Sequence, residues 1–209
     1  MSSLFLKQEN VNIASDILKN GGIGIFTTDT VYGIGCDFQN ITSLKKIFEI
    51  KERNFNKPIN ILVSNKEMIN KLVKDINPIE KILIDNFWPG PFTIIFNKTS
   101  LVPDILTSGL NTVGIRMPKN KICLDLIDEF GSPLATSSAN ISNENPTSVI
   151  DENLIKNFEN KVDFILDSGK IDGGIPSTIV RVENDNKINI LREGPISFND
   201  IMEVINNAR

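Results

Sequence analysis

Apolar residues recur at helical spacing in several stretches of the chain, and short β-rich runs separate them. Val11, Ala14, Ile17 and Leu18 predict a first helix, with Asn10 placed to cap it and Gly21-Gly22 to stop it. The run from Gly22 to Thr28 reads as a strand that empties into a glycine-rich polar turn, Asp29-Thr30-Val31-Tyr32-Gly33-Ile34-Gly35. Ile41, Leu44, Ile47 and Phe48 form a second stripe, and one further turn places Lys51 on its inward side. Ile59 to Val63 reads as a strand. Ser64-Asn65-Lys66-Glu67 reads as a capping box that opens a helix burying Met68, Leu72, Val73 and Ile76. Asn77-Pro78 opens another, with Ile79, Ile82, Leu83 and Phe87 inside and Trp88-Pro89-Gly90-Pro91 as its break.

Strands follow at Phe92 to Phe96 and Thr112 to Met117, then a helix marked by Ile122, Leu126, Ile127 and Phe130 and closed by Gly131. Pro133 to Thr136 is a small-residue strand leading into Ser137-Ser138-Ala139-Asn140. Leu154, Ile155 and Phe158 mark a helix; Val162 to Leu166, Ser177 to Val182 and Lys187 to Leu191 read as strands. Arg192-Glu193-Gly194-Pro195 reads as a turn, and Ser197 caps a last helix with Ile201, Val204, Ile205 and Ala208 inside. This alternation predicts an α/β (α+β) fold on a mixed sheet. No linker, repeat or low-complexity block interrupts it, so residues 1–209 read as one domain with no second.

Composition narrows the chemistry. A hydrophobic share of 40% and a charged share of 23% are those of a soluble globular protein, and no apolar run approaches a membrane span. The start, Met1-Ser2-Ser3-Leu4-Phe5-Leu6-Lys7, lacks the marks of a signal peptide. Cys36 and Cys123 form no CxxC pair, which points to free thiols in a reducing, cytoplasmic setting. The absence of histidine excludes Ser-His-Asp and Cys-His catalysis and histidine metal sites. Carboxylates, hydroxyls, Lys, Arg, backbone amides or a bound hard cation remain.

The chain is acidic, with net charge −4 and a pI near 5.0, yet Lys51, Arg53 and Lys57 cluster just before Pro58. A solvated helix end accounts for such a cluster as well as an anion site does. Arg116 sits in an apolar strand and needs an anionic partner, either a ligand or an internal Asp or Glu. Ser137-Ser138-Ala139-Asn140 can form an anion-binding nest or an ordinary hydroxyl-rich turn. With Arg192 and the Thr30 and Ser138 hydroxyls, these cations describe a mouth suited to a small polyanion such as a nucleotide. Neither a P-loop nor a dinucleotide-binding glycine pattern after a strand occurs.

In order, the chain carries Thr28-Asp29-Thr30-Val31-Tyr32-Gly33, Lys51-x-Arg53 with Lys57-Pro58, Trp88-Pro89-Gly90-Pro91-Phe92-Thr93 and Val113-Gly114-Ile115-Arg116-Met117-Pro118. Ser137-Ser138-Ala139-Asn140, Pro176-Ser177-Thr178-Ile179-Val180 and Arg192-Glu193-Gly194 follow. Across nearly its whole length the chain resembles the YrdC-type L-threonylcarbamoyladenylate synthase family. The resemblance implies a twisted α/β fold around a large positively charged cavity. It also implies a nucleotidyltransferase that joins L-threonine, bicarbonate and ATP into threonylcarbamoyl-AMP and pyrophosphate. Mg2+ would enter on the triphosphate, and a partner complex would transfer the product to tRNA, with a weak direct tRNA contact as a further expectation.

By position, the resemblance assigns Lys51 and Arg53 to catalysis, and Lys51, Arg53, Lys57, Thr112, Ser138, Asn140, Thr147 and Arg192 to ATP. It assigns Thr30, Tyr32, Arg116, Thr136 and Ser177 to threonine. It assigns no side chain to metal, and Asp29 is the one candidate to touch it. The chain departs from the family at Asn54, commonly Pro, at Ile59, commonly Leu, and in the loop Ser142-Asn143 to Asn145-Pro146-Thr147. Ending after its final helix, it reads as the short form. Two competing readings remain: a double-stranded RNA or tRNA-binding module without turnover, which the acidic balance disfavours, and a carbamoyl-transfer domain of the hydrogenase-maturation type, whose Cys/His pattern is lacking.

Overall fold

The computed structural model describes residues 2–142 and 144–208, so the Asn143 departure lies outside the described residues. The strands are β1 (Leu4–Lys7), β2 (Gly24–Phe26), β3 (Gly33–Asp37), β4 (Asn60–Leu62), β5 (Phe92–Asn97), β6 (Thr112–Arg116), β7 (Leu134–Ser138), β8 (Phe164–Asp167), β9 (Thr178–Val182) and β10 (Ile188–Arg192). The helices are α1 (Val11–Lys19), α2 (Ile41–Ile50), α3 (Pro78–Phe87), α4 (Lys121–Phe130), α5 (Glu152–Phe158) and α6 (Phe198–Asn207). The strands join one mixed ten-stranded sheet in the order β1-β8-β2-β3-β7-β4-β6-β5-β9-β10. Among the described residues no helix is long and apolar enough to cross a membrane.

The amphipathic stripes decide which face each helix covers. Ala14 and Leu18 of α1 and Cys123, Leu126 and Ile127 of α4 pack with Leu62, Leu134, Phe26 and Phe164 on one face. Leu44, Ile47 and Phe48 of α2, Leu83 of α3 and Ile201 of α6 belong to the larger cluster with Ile34, Ile61 and Ile115 on the other. Because side chains alternate along a strand, β7 sends Leu134, Thr136 and Ser138 to the first face, and β4 sends Asn60 and Leu62 there. That face begins as apolar core and turns polar within a few residues, which is how the fold sets a site on its sheet.

Four expectations are corrected. Residues 66–71 form a 3-10 helix capped by Asn65, whose side chain accepts from the Met68 amide, instead of an α-helix opened by Ser64. Propagation stops because the backbone beyond is spent on the sheet: Lys74 N–H donates to Asn97 O at 2.9 Å and Thr99 N–H to Leu72 O at 2.9 Å. The Asn10 carboxamide faces backward and accepts from the Lys7 amide at 3.3 Å, leaving α1 without a side-chain cap. Arg192 ends β10 instead of opening a turn, and β1, carrying no distinctive pattern, was not foreseen.

The fourth correction concerns Gly33 to Gly35, the end of the expected turn, which belong instead to the buried strand β3 between β2 and β7. Gly35 explains it: a Cβ there would lie 2.6 Å from Ala135 O and 2.9 Å from Thr136 Oγ1. The glycine permits close approach of β3 to β7. Gly35→Ala must therefore push β7 aside, with an expected loss of about 1–3 kcal/mol. Urea unfolding checks this; an unchanged midpoint contradicts it.

Candidate functional site

Strand register brings the polar residues together. Gly33 pairs with Ser138, Asn60 with Thr136, Leu62 with Arg116, and Thr93 with Ile179. These positions floor a pocket of about 180 Å³ that no residue of α1 or α4 lines. Arg53, Arg116 and Arg192 all line it, and no Asp or Glu is among the lining residues. Burial lowers the pKa of each guanidinium; Asp29 opposes this at Arg116, and Arg116 and Arg53 lower that of Arg192 further. Guanidinium stays charged throughout the accessible pH range. The arrangement is therefore suited to an anion, with Arg116 already sharing its charge with Asp29.

Each arginine is held by protein groups that leave part of its fork for a ligand. Arg53 donates from Nε to Lys57 O at 3.1 Å and from Nη2 to Pro58 O at 2.9 Å, folding its own loop around itself. Arg192 donates from Nε to Ser177 O at 2.9 Å and from Nη2 to Ser177 Oγ at 3.1 Å. Ser177 Oγ in turn bonds Thr93 Oγ1 at 2.8 Å. Arg116 donates from Nε to Gly90 O at 2.9 Å and from Nη1 to Thr30 Oγ1 at 3.0 Å, and Nη2 pairs with the Asp29 carboxylate. The internal-partner alternative for Arg116 is thus realised, although the same side chain also faces the pocket.

Seven of the thirteen residues named from the resemblance line this pocket: Thr30, Arg53, Arg116, Thr136, Ser138, Ser177 and Arg192. The others lie outside its lining. Lys51 is 1% exposed and donates from Nζ to the backbone carbonyls of Ser138 and Asn140. Asn140 accepts from Ser138 Oγ and donates from Nδ2 to Ile141 O at 2.9 Å and to Glu144 O at 2.8 Å, which fixes the turn after β7. Thr147 lies in a small neighbouring cleft and is held by Val149. Tyr32 is fully buried, its hydroxyl donating to Gly169 O at 2.7 Å. Lys57 is exposed on the Arg53 loop, and Thr112 opens β6 opposite Asn97. Thr28, Asn60 and Thr93 line the pocket without having been assigned a role, and Ser137, expected only as part of the nest, lines it as well. Of these, Thr93 carried a signal, being a lone hydroxyl in an apolar strand.

Lys51 has its pKa lowered to about 7, first by burial and then by Arg53, with Glu144 opposing. Because the folded value lies below the ordinary 10.5, the fold favours the neutral amine. That contribution to stability is complete above 10.5 and is lost as pH falls toward 7. An anion in the pocket should raise the value again. Binding of sulfate, which does not titrate in this range, at pH 8 is expected to take up a substantial fraction of about one proton. Calorimetry in buffers of different ionisation enthalpy measures it, and Lys51→Met should abolish it; uptake unchanged in that variant contradicts the assignment.

The chain is similar over most of its length to known proteins. The Sua5/YciO/YrdC family model, described as "Telomere recombination", matches residues 16–194. A Pyrococcus abyssi relative, the threonylcarbamoyl-AMP synthase, is 34% identical over 205 residues, covering 98% of this chain and 59% of its own length. A Methanocaldococcus jannaschii relative, provisionally named for the same activity, is 42% identical over 195 residues, covering 92% of this chain and 85% of its own. The crystal structure of P. abyssi Sua5 complexed with L-threonine superposes with a TM-score of 0.91 at 32% identity, over 97% of this chain and 60% of that one. The chain thus spans little more than half the length of some relatives it matches and most of another.

Proposed function

The chain belongs to the Sua5/YciO/YrdC family, and on that premise we propose that it is an L-threonylcarbamoyladenylate synthase. The observation that carries this reading is the convergence of Arg53, Arg116 and Arg192 on one hydroxyl-rich pocket without a lining carboxylate. Such a pocket suits two anions held side by side, an amino-acid carboxylate and a polyphosphate. A relative of the same fold is complexed with L-threonine, and several relatives bear the name threonylcarbamoyl-AMP synthase.

In this reading Arg116 takes the threonine carboxylate, with the Thr30, Thr136 and Ser177 hydroxyls near the rest of the amino acid. Arg53, Arg192 and the Ser138 hydroxyl take the phosphoryl oxygens. The threonine nitrogen bonds the bicarbonate carbon as water leaves, giving a carbamate. A carbamate oxygen then bonds the α-phosphorus of ATP as the bond to the pyrophosphate oxygen breaks. Neither step requires histidine or a covalent enzyme intermediate. The protein contributes position and charge stabilisation. Lys51 holds the Ser138–Asn140 turn from behind, so its part in the reaction is exerted through that turn.

Mg2+ fits as a passenger of the triphosphate. Among the described residues no three His, Cys, Asp or Glu side chains converge, and Asp29 is engaged by Arg116. Bound there, the ion would screen phosphoryl charge. The product would pass to a tRNA-modifying transfer complex. Mass spectrometry of the nucleotide products formed with each amino acid in turn tests the reading. A carbamoylated adenylate is expected with threonine, and a product spectrum without one overturns the assignment.

A further inference from the structure

Asn60 has no role in anything described above, yet it occupies the middle of the pocket floor. It opens β4 and pairs with Thr136. Its carboxamide lies over Gly114 of β6, where a Cβ would come within 2.3 Å of Asn60 Oδ1. Glycine at 114 is what gives the side chain room. Among the described residues no hydrogen bond holds the Asn60 carboxamide, whereas the three pocket arginines, Thr93 and Ser177 are all engaged. It is also only partly exposed. A carboxamide with donor and acceptor both unspent, inside a polar pocket, is free to read a ligand.

Register says which part of the ligand it meets. Arg116, Thr93, Ile179 and Arg192 form one row across the sheet, set by Thr93 with Ile179 and Ile179 with Arg192. Asn60 and Thr136 form the next row, and Ser138, two residues further along β7, the one beyond, with Arg53 bonded to the carbonyl of Pro58 two residues before Asn60. Successive rows on one face lie about 7 Å apart. Asn60 therefore stands between Arg116, proposed to hold the threonine carboxylate, and Ser138, proposed to hold a phosphoryl oxygen, while Arg192 sits at the far edge of the first row, three strands from Arg116. The group that joins those two ends is the carbamate.

The chemistry matches. A carbamate presents an N–H and a carboxylate oxygen on one edge, the donor–acceptor pattern complementary to a primary amide. Bicarbonate presents an O–H and an oxygen in the same way. One edge of Asn60 can thus hold both, by two parallel hydrogen bonds, and leave the second oxygen free toward phosphorus.

We propose that the Asn60 carboxamide is the bicarbonate and carbamate subsite of this pocket, a reading that rests on the synthase assignment above. Asn60→Ala is expected to raise the KM for bicarbonate about tenfold or more. Threonine affinity by calorimetry, the KM for ATP and the melting temperature should change little. Asn60→Asp should be worse than Ala, because it opposes one carboxylate with another. An unchanged bicarbonate KM in Asn60→Ala overturns the subsite, as does an equal loss for all three substrates. A wild-type protein that makes no carbamoylated adenylate overturns instead the synthase reading, and the subsite with it.

Discussion

Arg53→Ala is expected to lower kcat/KM for threonine-dependent pyrophosphate release by about a hundredfold or more while leaving the protein folded. The side chain is half-buried at the pocket and its protein bonds go to two carbonyls of its own loop, Lys57 O and Pro58 O. Losing them loosens that loop and leaves no buried charge unpaired. The catalytic loss is larger because a charged, preoriented donor at a phosphoryl group acts most strongly as charge develops there. Arg53→Lys should rescue poorly, since an ammonium cannot make two carbonyl bonds in the fork geometry and still face the phosphate. Kinetics and thermal melting of both variants check this. Near-normal turnover in Arg53→Ala would remove Arg53 from the reaction.

The second large effect falls on Arg116. It is 6% exposed and ion-paired with Asp29, whose side chain is 12% exposed. Arg116→Met leaves that carboxylate buried without a counter-ion, at a cost of about 3–5 kcal/mol. It also removes the group proposed to hold the threonine carboxylate. The double variant Arg116→Met with Asp29→Asn separates the two roles. Stability measured by urea unfolding should recover in large part, while threonine binding measured by calorimetry should not. Recovery of threonine affinity in the double variant would make Arg116 only the partner of Asp29.

Much of this was legible in the residues. The 3.6-residue stripes of α2, α3, α4 and α6 place the helices, because an apolar face must be buried whatever covers it. The same phase puts Lys51 inside, and an arginine in an apolar strand marks Arg116. What Lys51 points at was not legible. Its acceptors, the Ser138 and Asn140 carbonyls, lie at the end of β7 and in the turn after it, far along the chain, and only sheet order brings them near. The region from 64 to 76 misled because a sound local capping signal met backbone groups claimed by the sheet. Gly33 to Gly35 misled because a glycine that allows two strands to approach looks like a glycine that makes a turn. Asn60 carried no signal: in an Asn-rich chain one more Asn is unremarked until register sets it between two anion sites.

The most direct test of the central claim follows isotopically labelled bicarbonate. The protein is incubated with ATP, Mg2+ and label, with and without L-threonine, and the nucleotide fraction is separated from pyrophosphate. Label should enter an adenylate only when threonine and ATP are both present, in step with pyrophosphate release. Pyrophosphate released without threonine, or without label reaching the adenylate, would contradict the account.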